Sequence, residues 1–277
     1  MTRILAPARR PVGDLLREWR QRRRLSQLDF ALDVDISQKH LSFIESGRSA
    51  PSRDMVLRLA ERLDVPLRVR NLMLLAAGYA PVFPELPLDD PALAAARAAI
   101  DMVLAGHEPL PALAVDRRWT MLAANAAVPR LIGAIPDATL LRPPVNVLRL
   151  SLHPGGLAPR ILNLGAWRAH LLDRLRREVD ASADPHLVAL LEELRAYPAG
   201  PSEDVGPAED PSGLFVPLRL LTPAGPLSLF STTTVFGTPT EITLSEIAIE
   251  AFFPADETTA KRLRQLADPQ APADPTP

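Results

Sequence analysis

Cysteine is absent from the 277 residues. Disulfide bridges and thiolate metal sites are therefore excluded, which fits a reducing compartment. Lysine is almost absent, with two residues beside 29 arginines. Long apolar runs are missing too. LMLLAAGYAPVF, among the longest, is broken by Gly and Pro and falls well short of the ~20 residues a membrane span needs. The N-terminus carries arginines but not the apolar core of a secretory signal. A cytoplasmic protein without a membrane segment is expected. Catalytic signatures are also missing: no HExxH, GxSxG, Walker or GxGxxG motif occurs. His40, His107, His153, His170 and His186 lack metal-ligand spacing. Ser151 lies near His153, a combination common by chance, and Asp173 is not an evident third member. Neither enzymatic activity nor a metal or cofactor is expected.

Hydrophobic residues make up 47% of the chain, enough for a substantial core, and the length suits one or two domains. The net charge of −2 conceals an asymmetry. Residues 1–80 hold 15 Lys/Arg against 9 Asp/Glu, and residues 81–277 hold 16 against 24. A basic first part beside an acidic remainder points to a polyanion met by the first part alone; chance segregation is the alternative.

Residues 1–10, with Arg3, Arg9 and Arg10, read as a flexible basic arm. From 11 to 78 the pattern is helical, in short pieces. Pro11 precedes Leu15, Leu16 and Trp19 at helical spacing. Ser26, Ser37 (or Asp35) and Ser52 stand at N-cap positions. Pro66 opens a further helix and Gly78 ends it. Five short helices make an all-α domain. The proline-rich stretch at 79–90 reads as a stiff linker and the domain boundary. Residues 91–267 mix helices and strands. Leu187, Leu190, Leu191 and Leu194 mark an amphipathic helix, and 198–213 is an acidic, turn-rich loop. Three strand-like runs follow. The last, EITLSEIAIEAFF, alternates imperfectly, which suggests a bulge. Strands at both ends with helices between predict an antiparallel sheet flanked by helices. The tail, 268–277, is expected to be disordered.

The stretch ISQKHLSFIESGR, 36–48, sets four polar residues before two spaced aliphatics. A helix-turn-helix needs this layout. Its second helix must be pinned on one side and leave its N-terminal half free for a major groove. Ala31 stands at the helix contact, with Phe30 and Val34 as buried partners. Ile36 follows the turn, and Leu41 and Ile44 pin the second helix. Ser37, Gln38, Lys39 and His40 remain at the exposed end. LSQLDFALDVDISQKHLSFIESGRSAPS resembles the phage-repressor, XRE-type helix-turn-helix family over about 11–78. The resemblance implies that Gln38, Lys39 and Phe43 face base edges and that Gln27 contacts phosphate. The turn position, often Gly, is Asp35, a residue that visits left-handed backbone more readily than most. The side-chain chemistry agrees. Lys39 or Gln38 can donate to guanine, Gln can pair with adenine, and Phe43 suits a thymine methyl. Ser37 joins the base-reading set. His40, Ser42, Arg48 and Arg53 join Gln27 as phosphate contacts. The alternative for each is a solvated helix residue and, for Phe43, a place in the core.

PALAVDRRWTMLAANAAVPRLIG resembles the opening of a PAS domain, with Asn125 where strand passes into helix. PPVNVLRLSLHPGGLAPRILNLGAWRAHLL, 143–172, resembles the ligand-binding domain of MmyB-type transcription regulators. The joint resemblance covers about 11–267. It implies a multi-domain regulator: an all-α, five-helix repressor-like DNA-binding domain followed by an α+β PAS-like domain with an antiparallel sheet. It further implies a sensor of a small apolar or fatty-acid-like ligand. An apolar pocket with a few convergent polar groups is the usual small-molecule site. Candidate ligand contacts are Asn125, Asn146, Arg149, His153, Asn163 and Trp167, with Arg168 and His170 nearby in sequence. Arg149 or Arg168 suits a carboxylate head group. The alternatives are plainer: Asn146 and Asn163 satisfying loop backbone, a simple turn at His153, and Trp119 and Trp167 as core or surface cover.

One reading helix covers too few base pairs for specificity. A homodimer placing two helices about 34–36 Å apart on pseudo-palindromic double-stranded DNA is therefore expected. The competing expectation is a constitutive DNA-binding protein whose second domain only dimerises or docks another protein.

Overall fold

The computed structural model describes residues 10–198 and 215–267. The basic arm up to Arg9, nearly all of the acidic loop and the tail from 268 lie outside the described residues. The chain divides into two units. One is built from the residues up to Leu86 with short pieces at Asp180–Ser182 and Pro239–Ile242; the other is built from the rest.

The first unit holds five helices: α1 (Val12–Arg22), α2 (Gln27–Asp33), α3 (Gln38–Glu45), α4 (Arg53–Arg62) and α5 (Leu67–Ala76). Their starts are local chemistry. The hydroxyls of Ser26, Ser37 and Ser52 accept from the backbone N–H groups of Asp29, His40 and Met55, satisfying donors that a helix leaves orphaned. Their ends repeat one device. Arg24, Asp35, Gly47, Asp64 and Gly78 all take positive φ, between 47° and 86°. The residue after each returns its N–H to the carbonyl five positions back, as in Ile36 to Ala31 at 2.9 Å and Val65 to Ala60 at 2.9 Å. Asp35 adopts the left-handed conformation, at φ 56°. Leu25, Ile36, Val65 and Tyr79, which follow four of these turns, pack against the core. Arg48, after the fifth, is exposed instead.

That core centres on Leu16, Phe30, Leu41, Ile44 and Leu59, all fully buried. Each contributes roughly 1.5–3 kcal/mol through removal from water. α1 lies so close to the end of α3 that a Cβ at Gly13 would sit 2.4 Å from the Ile44 carbonyl oxygen. Only a residue without a side chain fits there.

The second unit opens with α6 (Ala94–Gly106), then β1 (Ala112–Val115), β2 (Met121–Ala124), α7 (Ala127–Ile132), α8 (Val147–Leu152), α9 (Leu164–Ser182) and α10 (Pro185–Ala196). It continues with β3 (Leu218–Thr222), β4 (Gly225–Val235), α11 (Ile242–Ser245), β5 (Ala248–Pro254) and α12 (Glu257–Ala267). The strands form one antiparallel sheet in the order β2-β1-β5-β4-β3. Alternation assigns its faces. Leu113 and Val115 of β1, Leu218 and Leu220 of β3, and Leu227 and Leu229 of β4 enter one core with Trp167, Leu171 and Leu175 of α9. Ala112, Ala114 and Ile249 enter a second core with Ile100 and Leu104 of α6.

The third strand-like run departs from expectation. Ile242–Ser245 forms a helical turn, and β5 starts only at Ala248. Leu244 and Ile247 are three apart, a helical spacing, and the Ile247 N–H bonds to the Leu244 carbonyl. A register irregularity does occur, but in β1 between Ala114 and Val115.

Gly13→Ala is expected to destabilise the first unit by about 1–3 kcal/mol through overpacking. The readout is faster hydrogen exchange of α1–α3 amides in the full chain. Gly106→Ala, where nothing lies within 4 Å, serves as the control and is expected to leave those rates unchanged.

Candidate functional sites

In the first unit, α3 presents a polar face held by buried chemistry on its other side. Leu41 and Ile44 sink into the core. Ser37, Gln38 and Lys39 are exposed, while His40, Ser42 and Phe43 are half-buried. Ser37 spends an acceptor on the cap but keeps its O–H to donate. Phe43 stays out of the buried core. Its ring sits beneath two cations, with Lys39 Nζ 5.7 Å and Arg48 Cζ 5.8 Å from its centroid. Arg53, the first residue of α4, is exposed.

Glu45, in the last turn of α3, is only 2% exposed. A carboxylate there opposes the helix dipole as well as losing water. Arg20 answers with two bonds, at 2.7 and 3.0 Å, and Gln27 donates at 2.8 Å. Arg17 lies 3.5 Å from the carboxylate and donates to the Glu45 carbonyl at 2.8 Å. Burial alone would raise the Glu45 pKa, but Arg20, Gln27 and Arg17 together hold it below its ordinary value. Sequence reasoning assigned Gln27 to phosphate and gave Glu45 no role. One Gln27 amide hydrogen is committed to Glu45. The signal was present, since Glu45 falls four residues after Leu41, on the buried face.

In the second unit, a cavity opens between the sheet and helices α7, α8 and α9. Its volume is about 90 Å³. Its walls are largely apolar: Leu113 and Met121 from the sheet, Val128 and Leu131 from α7, Leu148 from α8 and Leu171 from α9. From α9, Trp167, His170, Leu171 and Arg174 all line it, the spacing of a single helical face. The polar lining is sparse: Ser151, His170, Arg174, Ser231 and Glu250.

Arg174 donates to Glu250 at 2.6 and 3.0 Å and lies 3.4 Å from Glu178. Its guanidinium sits 4.4 Å from the Trp119 ring centroid, and the Trp119 indole N–H donates to Glu178 at 2.7 Å. Trp119 holds φ at 64°, an uncommon conformation for a bulky residue. Burial pushes the Glu178 pKa up, with the Glu250 charge adding to it and outweighing Trp119 and Arg174. Burial pushes His170 down, aided by Arg174 and Arg177.

Trp167 lines the cavity, with its indole donating to Ser151 at 3.0 Å. The other five sequence candidates lie outside the lining and are engaged within the fold, a departure from expectation. Asn125, 6% exposed, accepts from Ala112 N–H and donates to the Leu104 and Leu110 carbonyls. Asn146 caps α8 and donates to Arg118. Asn163 bridges Pro217 and Arg219. Arg149 forms a bidentate pair with Glu193, which also accepts from Tyr197, whose phenol is pushed up to about 12 by burial and that bond. His153 Nδ1 accepts from Gly155 N–H, making a turn. Arg168 donates to carbonyls at the end of α10. Glu250, Ser231 and Arg174 were missed, because an isolated polar residue in a strand or helix carries no local mark of the cavity it faces.

Among the described residues no helix is long and apolar enough to cross a membrane, and no cluster of His, Asp or Glu suits a metal. Residues 96–266 match the family model of the MmyB-like transcription regulator ligand binding domain, and residues 16–69 match a helix-turn-helix model. No curated protein matches the chain. Among solved structures, an RNA-binding light-oxygen-voltage receptor aligns at 14% identity and a TM-score of 0.24. The alignment covers 93% of this chain and 64% of that one.

Because the folded Glu45 pKa is depressed, its stabilisation is complete above the ordinary 4.5 and is lost as pH falls through the folded value. Exchange protection of α1–α3 is expected to fall in that acid range. Glu45→Gln is expected to flatten the dependence and to cost about 3 kcal/mol near neutrality, since Arg20 loses its carboxylate. Asn125→Ala is expected to lower the thermal stability of the second unit by about 1–3 kcal/mol through unpaired backbone groups, with ligand contacts untouched.

Proposed function

The chain belongs to the MmyB-like transcription regulators, in which a helix-turn-helix unit is joined to that family's ligand binding domain, and on that premise we propose how each unit works. Ser37, Gln38, Lys39 and Phe43 read bases in a major groove, and Gln27, His40, Ser42, Arg48 and Arg53 contact phosphates. One observation carries this reading. The N-terminal half of α3 is polar and exposed while its other face is locked by Leu41, Ile44 and the Glu45 network. Such a helix enters a groove without repacking, so little ordering entropy is lost. Phe43 under Lys39 and Arg48 offers an apolar surface to a thymine methyl between cations that suit guanine and phosphate.

Specificity comes from a homodimer on a pseudo-palindromic operator. The cavity of the second unit takes a small apolar or acyl-chain ligand. Its mostly aliphatic and aromatic lining supports that reading. The ligand acts by favouring one dimer geometry over another, since equal affinity for both would shift nothing.

Binding-site selection on the full chain tests the DNA contacts. Lys39→Ala is expected to relax preference at one base pair by about 1–3 kcal/mol. Arg48→Ala is expected to weaken binding to all sequences alike and to reduce its salt dependence. An unchanged preference in Lys39→Ala would remove the base-reading role. Operator affinity measured with and without a cavity-filling ligand tests the coupling. Unchanged affinity at verified saturation would leave a constitutive DNA-binding protein.

A further inference from the structure

We propose that the cavity selects amphiphiles with an uncharged, hydroxyl-class head group and discriminates against carboxylates, because its one lining cation is already claimed by a lining carboxylate. This rests on the reading of the cavity as the ligand site, and names the polar end of what enters it.

Arg174 is the single Lys or Arg among the lining residues. A carboxylate entering an apolar cavity needs such a group. Both Arg174 contacts to Glu250 are short, and Glu250 is 4% exposed. Glu178 stands on the same guanidinium at 3.4 Å. Two acids thus share one base before any ligand arrives. Thr233 tightens the arrangement. Its hydroxyl donates to Glu250 at 3.0 Å and accepts from Arg174 at 3.1 Å. The register places Thr233 directly opposite Glu250 and Ser231 opposite Phe252. An anionic head group would have to draw Arg174 away, stranding a buried carboxylate on β5, or bind beside that carboxylate unpaired. Both arrangements leave a charge uncompensated in a low-dielectric site.

Neutral hydrogen-bonding groups are available instead. Among the described residues, the Ser231 hydroxyl and the His170 ring nitrogens take no hydrogen bond within the protein, and both residues line the cavity. His170 stacks on Trp167 with ring centroids 5.6 Å apart, which fixes its plane. Burial pushes its pKa down and so favours the neutral imidazole, in which one nitrogen donates and the other accepts. An alcohol can donate to one partner and accept from another with every charge left paired. The apolar chain then lies along Leu113, Leu148 and Leu171.

The test compares decanol with decanoate, equal in chain length, binding to the full-length protein near neutral pH. Fluorescence of Trp119 and Trp167 and native mass spectrometry report occupancy. Decanol is expected to bind about tenfold tighter than decanoate. Glu250→Gln frees Arg174 and is expected to raise decanoate affinity until the preference disappears or inverts. Ser231→Ala is expected to weaken decanol and leave decanoate unchanged, which also locates binding in the cavity. Decanoate binding as tightly as decanol to the natural sequence would overturn the head-group assignment while keeping the cavity as a chain-binding site. A preference for decanol that survives Glu250→Gln intact, in protein with unaltered circular dichroism, would overturn it too. Binding of neither probe would defeat the cavity reading itself, and the assignment with it.

Discussion

A buried carboxylate at the end of α3 organises the first unit. Glu45 has almost no contact with water, and a charge in that position must be answered on every side. Arg20 and Arg17 come from α1, and Gln27 from α2. Three helices are therefore tied through one side chain. The requirement is geometric as well as electrostatic, because α1 must approach closely enough for Gly13 to touch the α3 carbonyls. Apolar packing alone tolerates several arrangements of comparable volume. A bidentate guanidinium on a buried acid admits far fewer. The exposed polar end of α3 is held in place by a contact at its opposite end.

The second unit uses the same pair of groups to a different end. Arg174 and Glu250 also make a short bidentate contact, but they do so on the wall of a cavity. In the first unit the network is closed. In the second, it borders space that a small molecule can fill, so its charge balance sets what that molecule presents. Trp119 belongs to the same cluster, held in left-handed backbone beneath Arg174 and bonded to Glu178. One guanidinium thus organises a strand pair, a helix and a strained turn.

Much of the first unit was legible before any coordinates. The three serine caps, the apolar stripes and the turn at Asp35 depend on residues within a few positions of one another. The exposed Gln38 and Lys39 follow from the same periodicity, since pinning Leu41 and Ile44 leaves their helix-mates outside. The second unit was legible at the level of its class: strands at both ends, helices between and one antiparallel sheet. The irregular start of its last strand was visible, although the geometry there is a helical turn rather than a bulge. Of the residues singled out in 143–172, Trp167 and His170 line the cavity while Asn146, Arg149, His153, Asn163 and Arg168 are engaged elsewhere in the fold, because hydrogen-bonding capacity reads the same whether it serves a ligand or a loop. Asn125, Asn146 and Asn163 each satisfy backbone groups that would otherwise be buried unpaired.

The amino-acid order by itself determined where the five helices of the first unit begin and end, which faces they bury, and that a basic all-α part precedes an acidic mixed domain. Those properties are local, governed by caps, left-handed turns and periods of two or 3.6 residues. Tertiary structure alone decided which polar groups meet. Arg17 and Arg20 find Glu45 across more than two dozen residues. Arg174 finds Glu250 across 76. Neither position carries a mark of its partner, because a charge pair is specified by the packing that brings two elements together and not by the residues beside either one.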